Sequence, residues 1–302
     1  IMINKKLLFL ILFIPLVNCS DAVKKIQAKT DLEKKGFKGS VKSVENFFYA
    51  AKEEFGEVVA DKSDLRVYEK ADYNEFGNII YIEWIFSSKY YNYDTYKKSY
   101  LKYDENNLKI EEEVFSYRTD EDNDYKFVIK YEYKYDDLNN LKYINSVDDI
   151  GSKTIEEYIY NQDGKLIEEN KNKIKNVLGE EEMGDLTSKV KYSFKENREI
   201  REGYKGDGSF EGATVTYFED EIIKEVHLYA DSKEEISGIS YYQDKKEFKY
   251  DSYSEGAIRY NYRYEYEFDS LGNPMKKINY TKNAEEQIFR PQFITLWKIE
   301  YY

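Results

Sequence analysis

The chain has 302 residues, 41% hydrophobic and 35% charged, with 33 tyrosines, one cysteine and a formal net charge of −13. That length and composition supply one or two cored domains, and 17% aromatic content excludes a disordered polymer. The acidic balance argues against nucleic-acid binding, which needs basic surface to displace counterions, and a lone cysteine excludes an intrachain disulfide.

Residues 2–19 read MINKKLLFLILFIPLVNC. Lys5 and Lys6 precede an apolar run from Leu7 to Val17, too short to span a bilayer but suited to the core of a secretory signal over residues 1–18. Cys19 follows directly, in Leu16-Val17-Asn18-Cys19. This resembles a bacterial lipoprotein signal, with Asn18 where that motif carries a small residue. The resemblance implies lipid attachment at Cys19, a membrane partner through that anchor, and a place on the cell envelope. Residues 19–35 then read as a polar, partly helical tether, and residues 36–302 as a single repeat domain.

The repeat is an aromatic residue, a polar cluster and a second alternating run. It occurs as YNEFGNII from Tyr73, YDENNLKI from Tyr103, YDDLNNLKY from Tyr135 and YNQDGKLIE from Tyr160. Degenerate copies follow at Phe194, Tyr217 and Tyr241, and FDSLGNPMKKI closes the series from Phe268. Alternation with period two marks strands with one aromatic and one charged face. Tyr131, Tyr133 and Tyr135 share a face, as do Tyr260, Tyr262, Tyr264, Tyr266 and Phe268. Gly77, Asn78, Asn139, Asn140, Asp163, Gly164, Gly272 and Asn273 supply the reversals, because Gly, Asn and Asp tolerate positive φ. Each copy is therefore a β-hairpin. The expected fold is all-β, serial antiparallel hairpins forming one long, twisted or curled meander sheet.

Three more expectations follow from the same pattern. The tyrosines stack on facing aromatics of neighbouring strands, while Glu132 and Lys134 pair across strands on the wet face. The stripe containing Tyr262, Tyr264 and Tyr266 packs first and contacts ligand second, since an exposed stripe of that size is avoided by soluble monomers. The polar stretches Asn172 to Ser188 and Lys282 to Pro291 read as inserted loops.

The units resemble YD (Rhs-type) repeats, through Tyr103-Asp104, Tyr135-Asp136 and Phe268-Asp269 and through Gly77, Gly164 and Gly272. The segments GFKGSVKS from Gly36 and WKIEYY from Trp297 are similar to the ends of uncharacterised bacterial repeat proteins. The resemblance implies hairpin arrays and no chemistry.

Catalytic signals are weak. His227 is the only histidine, so a Ser-His-Asp system or multi-histidine metal site would rest on it alone. Asp120, Asp122 and Asp124 have calcium-loop spacing, but Tyr125 and Tyr131 stand where that loop needs glycine and glutamate. Gly206, Gly208 and Gly212 miss the dinucleotide spacing by one. With 59 acidic residues, any acid–base pair would be chosen by hand. No cofactor, metal or enzyme is expected. The reading is a noncatalytic envelope lipoprotein that binds protein or glycan or acts as a scaffold. An immunity-like protein that binds a protein partner comes next, and an envelope hydrolase last.

Overall fold

The computed structural model describes residues 29–302 except 89–92, 120–123, 178–179 and 231. The signal segment and Cys19 lie outside the described residues, as do Asp120 and Asp122. A short helix, α1 (Asp31–Lys35), precedes the strands β1 (Val41–Glu54), β2 (Glu57–Tyr73), β3 (Ile79–Ser88), β4 (Tyr93–Tyr103), β5 (Lys109–Thr119) and β6 (Asp124–Tyr135). Next come β7 (Leu141–Asp148), β8 (Lys153–Tyr160), β9 (Leu166–Val177), β10 (Glu180–Lys195), β11 (Arg198–Lys205) and β12 (Phe210–Glu219). The last six are β13 (Ile222–Ala230), β14 (Ile236–Gln243), β15 (Lys246–Ser254), β16 (Ala257–Phe268), β17 (Pro274–Asn283) and β18 (Arg290–Tyr301).

Every described strand pairs antiparallel with its chain neighbours, and β18 pairs with β1 from Val41↔Tyr301 to Ala50↔Phe293. The eighteen described strands therefore close into a barrel. This corrects the expectation of an open or curled meander. An open sheet would leave the β1 and β18 edges with unpaired backbone groups, and closure satisfies each with the other. Curvature comes from bulges: the register shifts at Tyr73, Tyr103, Tyr135, Tyr160 and Phe268, each the aromatic that precedes a repeat turn. A bulge bends its strand and increases twist, so repeating it curls the wall.

All eight repeat copies turn at the same rim. Five are five-residue loops with one internal acceptor. Asp136 Oδ1 accepts from the Leu138 and Asn140 N–H groups at 2.9 and 2.8 Å, and Asn74, Asp104, Asn161 and Asp269 do the same. The fourth loop residue has positive φ, +84° at Gly77 and +68° at Asn139. The motif thus needs an Asx side chain first and Gly or Asn fourth. The degenerate copies make tight turns instead, with non-glycine residues at positive φ, including Asp244 at +51° and Lys245 at +66°. A left-handed non-glycine residue costs roughly 1–2 kcal/mol, and Asn-Gly suits such a hairpin. Changing Asp244→Asn together with Lys245→Gly is therefore expected to stabilise the barrel by about 1 kcal/mol, read as a higher urea midpoint. An unchanged or lower midpoint would show that this turn carries no such strain.

Asn172 to Ser188 is not a loop: β9 and β10 run through most of it, with bulges between Met183 and Ser188. Backbone pairing holds these strands without a continuous apolar face, so polar composition misread them. Within Lys282 to Pro291, only residues 284–289 lie between strands.

The wall is one layer thick, and its principal apolar cluster joins Leu32, Val41, Val44, Ala71, Tyr73 and Ile79. Phe37, Ile82, Leu101, Trp297 and Ile299 pack around it. These residues come from α1, the segment after it, and β18, β1, β2, β3 and β4. Five helical residues span only about 7.5 Å, whereas those strands would spread over roughly 19 Å in a flat sheet. They meet on the concave side, so α1 sits inside the mouth of the barrel at the repeat rim. A Thr30–Glu33 capping box starts the helix, at 3.2 and 2.8 Å, and the Leu32 N–H to Gly77 carbonyl and Ile79 N–H to Asp31 Oδ2 bonds, both 3.0 Å, dock it there.

Candidate lumenal site

Beneath α1, the inner faces of β3–β8 enclose a cavity of about 620 Å³, lined among others by Asp31, Tyr103, Lys109, Glu112, Tyr133 and Tyr135. Tyrosine hydroxyls lace this wall. Tyr135 donates to the Lys109 carbonyl at 2.8 Å, Tyr160 to that of Leu141 at 2.9 Å and Tyr266 to that of Glu247 at 2.9 Å. Tyr103 shares its proton between the Ile79 carbonyl at 2.8 Å and Asp31 Oδ2 at 2.9 Å. Each carbonyl belongs to one of the first two residues of the preceding strand. This is why the repeat favours tyrosine: the ring packs and the hydroxyl satisfies a backbone acceptor.

Glu112 is the electrostatic centre of the cavity. It accepts from Lys109 Nζ at 3.1 Å and from the Tyr133 hydroxyl at 2.9 Å. Burial pushes its carboxyl up, but the Lys109 ammonium and the Tyr133 and Ser99 hydroxyls outweigh that and hold it below the usual carboxylate value. Burial, and then the Glu112 charge, hold the Tyr133 hydroxyl far above the ordinary tyrosine value. Tyr135 is pushed up to about 12, by burial first and by Asp104 second. These hydroxyls stay protonated at physiological pH and act as donors. Lys109 Nζ also lies 4.1 Å from the centre of the Tyr133 ring.

The structure places the two tyrosine sets on this inner face but gives them other neighbours than expected. Tyr131 lies opposite Glu112 and Ser146, and Tyr133 opposite Ile144. Neither faces an aromatic. On the outer face Lys134 meets Glu132 of its own strand at 3.4 Å, and Glu132 accepts from Asn145 across the sheet at 3.3 Å. In the second set, Tyr262 does meet an aromatic, Tyr250, at 5.5 Å. Tyr264 and Tyr266 instead flank Lys277, whose Nζ is 3.8 and 5.5 Å from the ring centres. Burial lowers the Lys277 amine from its ordinary value. Both tyrosine hydroxyls are raised, by burial first and the Glu247 charge second.

Gly77, Asn78, Asn139, Asn140, Asp163, Gly164, Gly272 and Asn273 all lie in the turns of the repeat rim. Asn273 does more than turn the chain. Its side chain accepts from the Lys38 N–H at 2.7 Å and donates to the Lys38 carbonyl at 2.9 Å, and it lies 2.8 Å from the Tyr301 hydroxyl. It is fully buried. The last repeat thereby holds both strands of the seam, the very segments singled out at Gly36 and Trp297.

His227 lies on β13 with Nε2 2.8 Å from Glu225 and its ring 4.7 Å from that of Tyr217. Asp124 begins β6. Gly206 and Gly208 belong to a turn that Gly212 follows within β12. No cluster of three metal-ligating side chains occurs among the described residues. A larger concavity of about 800 Å³ opens on β4–β10. Charges there are paired, Lys102 with Glu111 at 2.6 Å and Lys130 with Glu113 at 3.0 Å.

No family model and no curated protein matches the chain. Among solved structures, a porin-like protein from Bacteroides uniformis is similar at 12% identity and TM-score 0.39, covering 86% of this chain and 96% of its own. A porin-like protein from Bacteroides vulgatus is similar at 10% identity and TM-score 0.26, covering 88% and 99%. The TcdB2-TccC3-Cdc42 structure is similar at 12% identity and TM-score 0.24, covering 73% of this chain and 14% of that one. Superpositions this loose fix neither strand number nor function.

Proposed function

We propose that the chain is a noncatalytic binding barrel of the cell envelope, tethered to lipid through Cys19 and standing in water rather than spanning the bilayer. The distribution of charge on the wall carries this reading. Opposite the tyrosine-lined lumen, the outer face has Lys98 with Glu83 at 3.3 Å, Lys130 with Glu113 at 3.0 Å, Lys276 with Glu267 at 2.8 Å and Lys298 with Glu45 at 3.1 Å. A lipid-facing wall requires an apolar band at mid-height, and Lys98 and Lys130, in the middle of β4 and β6, would cost about 2–4 kcal/mol each there. The lumen, by contrast, offers fixed hydroxyl donors, aromatic faces and carboxylate–ammonium pairs, Lys109 with Glu112 at 3.1 Å and Lys171 with Glu156 at 2.7 Å, a surface suited to a glycan or an extended peptide.

Fractionation of cells expressing the full-length chain tests this. Wild type is expected in the membrane fraction, labelled by a fatty acid, and Cys19→Ala in the soluble fraction without detergent, unlabelled and with a β-rich circular dichroism spectrum. A Cys19→Ala chain that still needs detergent for extraction would overturn the water-standing reading. Equal label in both chains would overturn the anchor.

A further inference from the structure

Away from the lumen, a cavity of about 430 Å³ lies on the outer side of β15–β17, lined by Phe248, Lys249, Asn261, Arg263, Lys282 and Phe289. Its construction is local. Register places Asn261 opposite Lys282, and Arg263 opposite Lys249 and Tyr280, so three cations share one face of three adjacent strands. The β16–β17 ladder runs on to the Ala284 N–H to Arg259 carbonyl bond at 3.2 Å, and the connection after it brings Phe289 over these cations. Arg263 Cζ and Lys282 Nζ each lie 5.0 Å from the centre of the Phe289 ring.

The charges around this cavity do not cancel. Lys249 is neutralised by Asp251 at 2.6 Å, a carboxylate that is buried and also accepts from Asn261 Nδ2 at 2.8 Å. The nearest acid on the strand of Arg263 is Glu265, which accepts from the Tyr280 hydroxyl at 3.0 Å. On the connection, Glu286 caps the Asn283 N–H at 3.1 Å and lies 3.9 Å from Arg290. Arg263 and Lys282 themselves have no carboxylate within ion-pair distance among the described residues. Two cations therefore converge on one aromatic ring, with an excess of positive charge, in a chain of net charge −13.

We propose that this cavity binds an anion carried on a ring, a sugar bearing a carboxylate or a phosphate monoester. The Arg263 guanidinium offers a planar fork for two oxygens of either group, and Lys282 adds a mobile point charge. The Phe289 and Phe248 side chains supply an apolar face for the ring. The site is independent of the lumen, because none of its residues borders that cavity.

Calorimetric titration of the purified full-length chain with glucuronate, glucose 6-phosphate, inorganic phosphate and glucose tests the proposal. At least one sugar anion is expected to bind, weakening as salt rises, with affinity lost at least ten-fold in the Arg263→Gln/Lys282→Gln double variant. Glucose is expected not to bind. Comparing glucuronate with glucose 6-phosphate identifies the anionic group. Phe289→Ala should weaken the sugar anion while leaving inorganic phosphate unchanged, and Tyr133→Ala should leave this site intact. The proposal is overturned if neither sugar anion binds, if glucose binds as well as they do, or if the double variant, folded by circular dichroism, binds them like wild type.

Discussion

Tyr73→Ala is expected to destabilise the barrel by about 3–5 kcal/mol, the range for deleting a large buried aromatic, whereas Tyr73→Phe is expected to be neutral or slightly stabilising. Tyr73 is 2% exposed and packs in the cluster that joins α1 to the first strands. In a one-layer wall there is little other apolar material to refill that space. Its hydroxyl, unlike those of Tyr103, Tyr135 and Tyr160, is buried without a partner among the described residues. Burial accordingly holds it far above the ordinary tyrosine value. Removing the hydroxyl relieves a desolvated donor, and removing the ring opens a cavity. Urea unfolding of the two variants separates these effects. Equal losses in both would mean that the hydroxyl is bonded and this account is wrong.

Asn273→Ala should come next, at about 1–3 kcal/mol, because it deletes a fully buried amide and breaks its bonds to the Lys38 backbone and Tyr301 at once. The Lys38 N–H and carbonyl lose their bonds, and Tyr301 keeps only its contact to Asp269. The effect should be local to the seam. Amide exchange is expected to quicken first along the β1–β18 ladder, from Val41 to Ala50 and Phe293 to Tyr301, before the remaining strands respond. Uniform acceleration across all strands would instead make Asn273 an ordinary contributor to global stability.

What was legible in the sequence was local. Alternation and the Asx–Gly or Asx–Asn turns follow from neighbours within ten residues, so hairpins and their reversals could be read directly. Closure could not, because it joins Val41 to Tyr301. A signal was nonetheless present in the special segments at the two ends, which turn out to be one another's partners. Cross-strand neighbours were misjudged for a related reason. Period two fixes which residues share a face, but the bulges at the repeat aromatics set the register, and register decides that Tyr131 meets Glu112 rather than a ring. The lumenal pair Lys109 and Glu112 was hidden by the abundance of charge. The Thr30-to-Glu33 capping box, however, stood in plain view inside the supposed tether and marked a helix with something to pack against.

The seam also dictates an order of events as the chain is made. β18 emerges after the other described strands, and until it does β1 has one partner and one bare edge, as does whichever strand is then newest. Sequence-distant pairing of this kind is slow, since the loop entropy is lost before any contact repays it. A chain halted midway is thus a strip of sheet with two adhesive margins rather than a smaller barrel. The ring exists only once β18 has been made, and a chaperone that shields the two margins would have to hold both until Arg290–Tyr301 arrives.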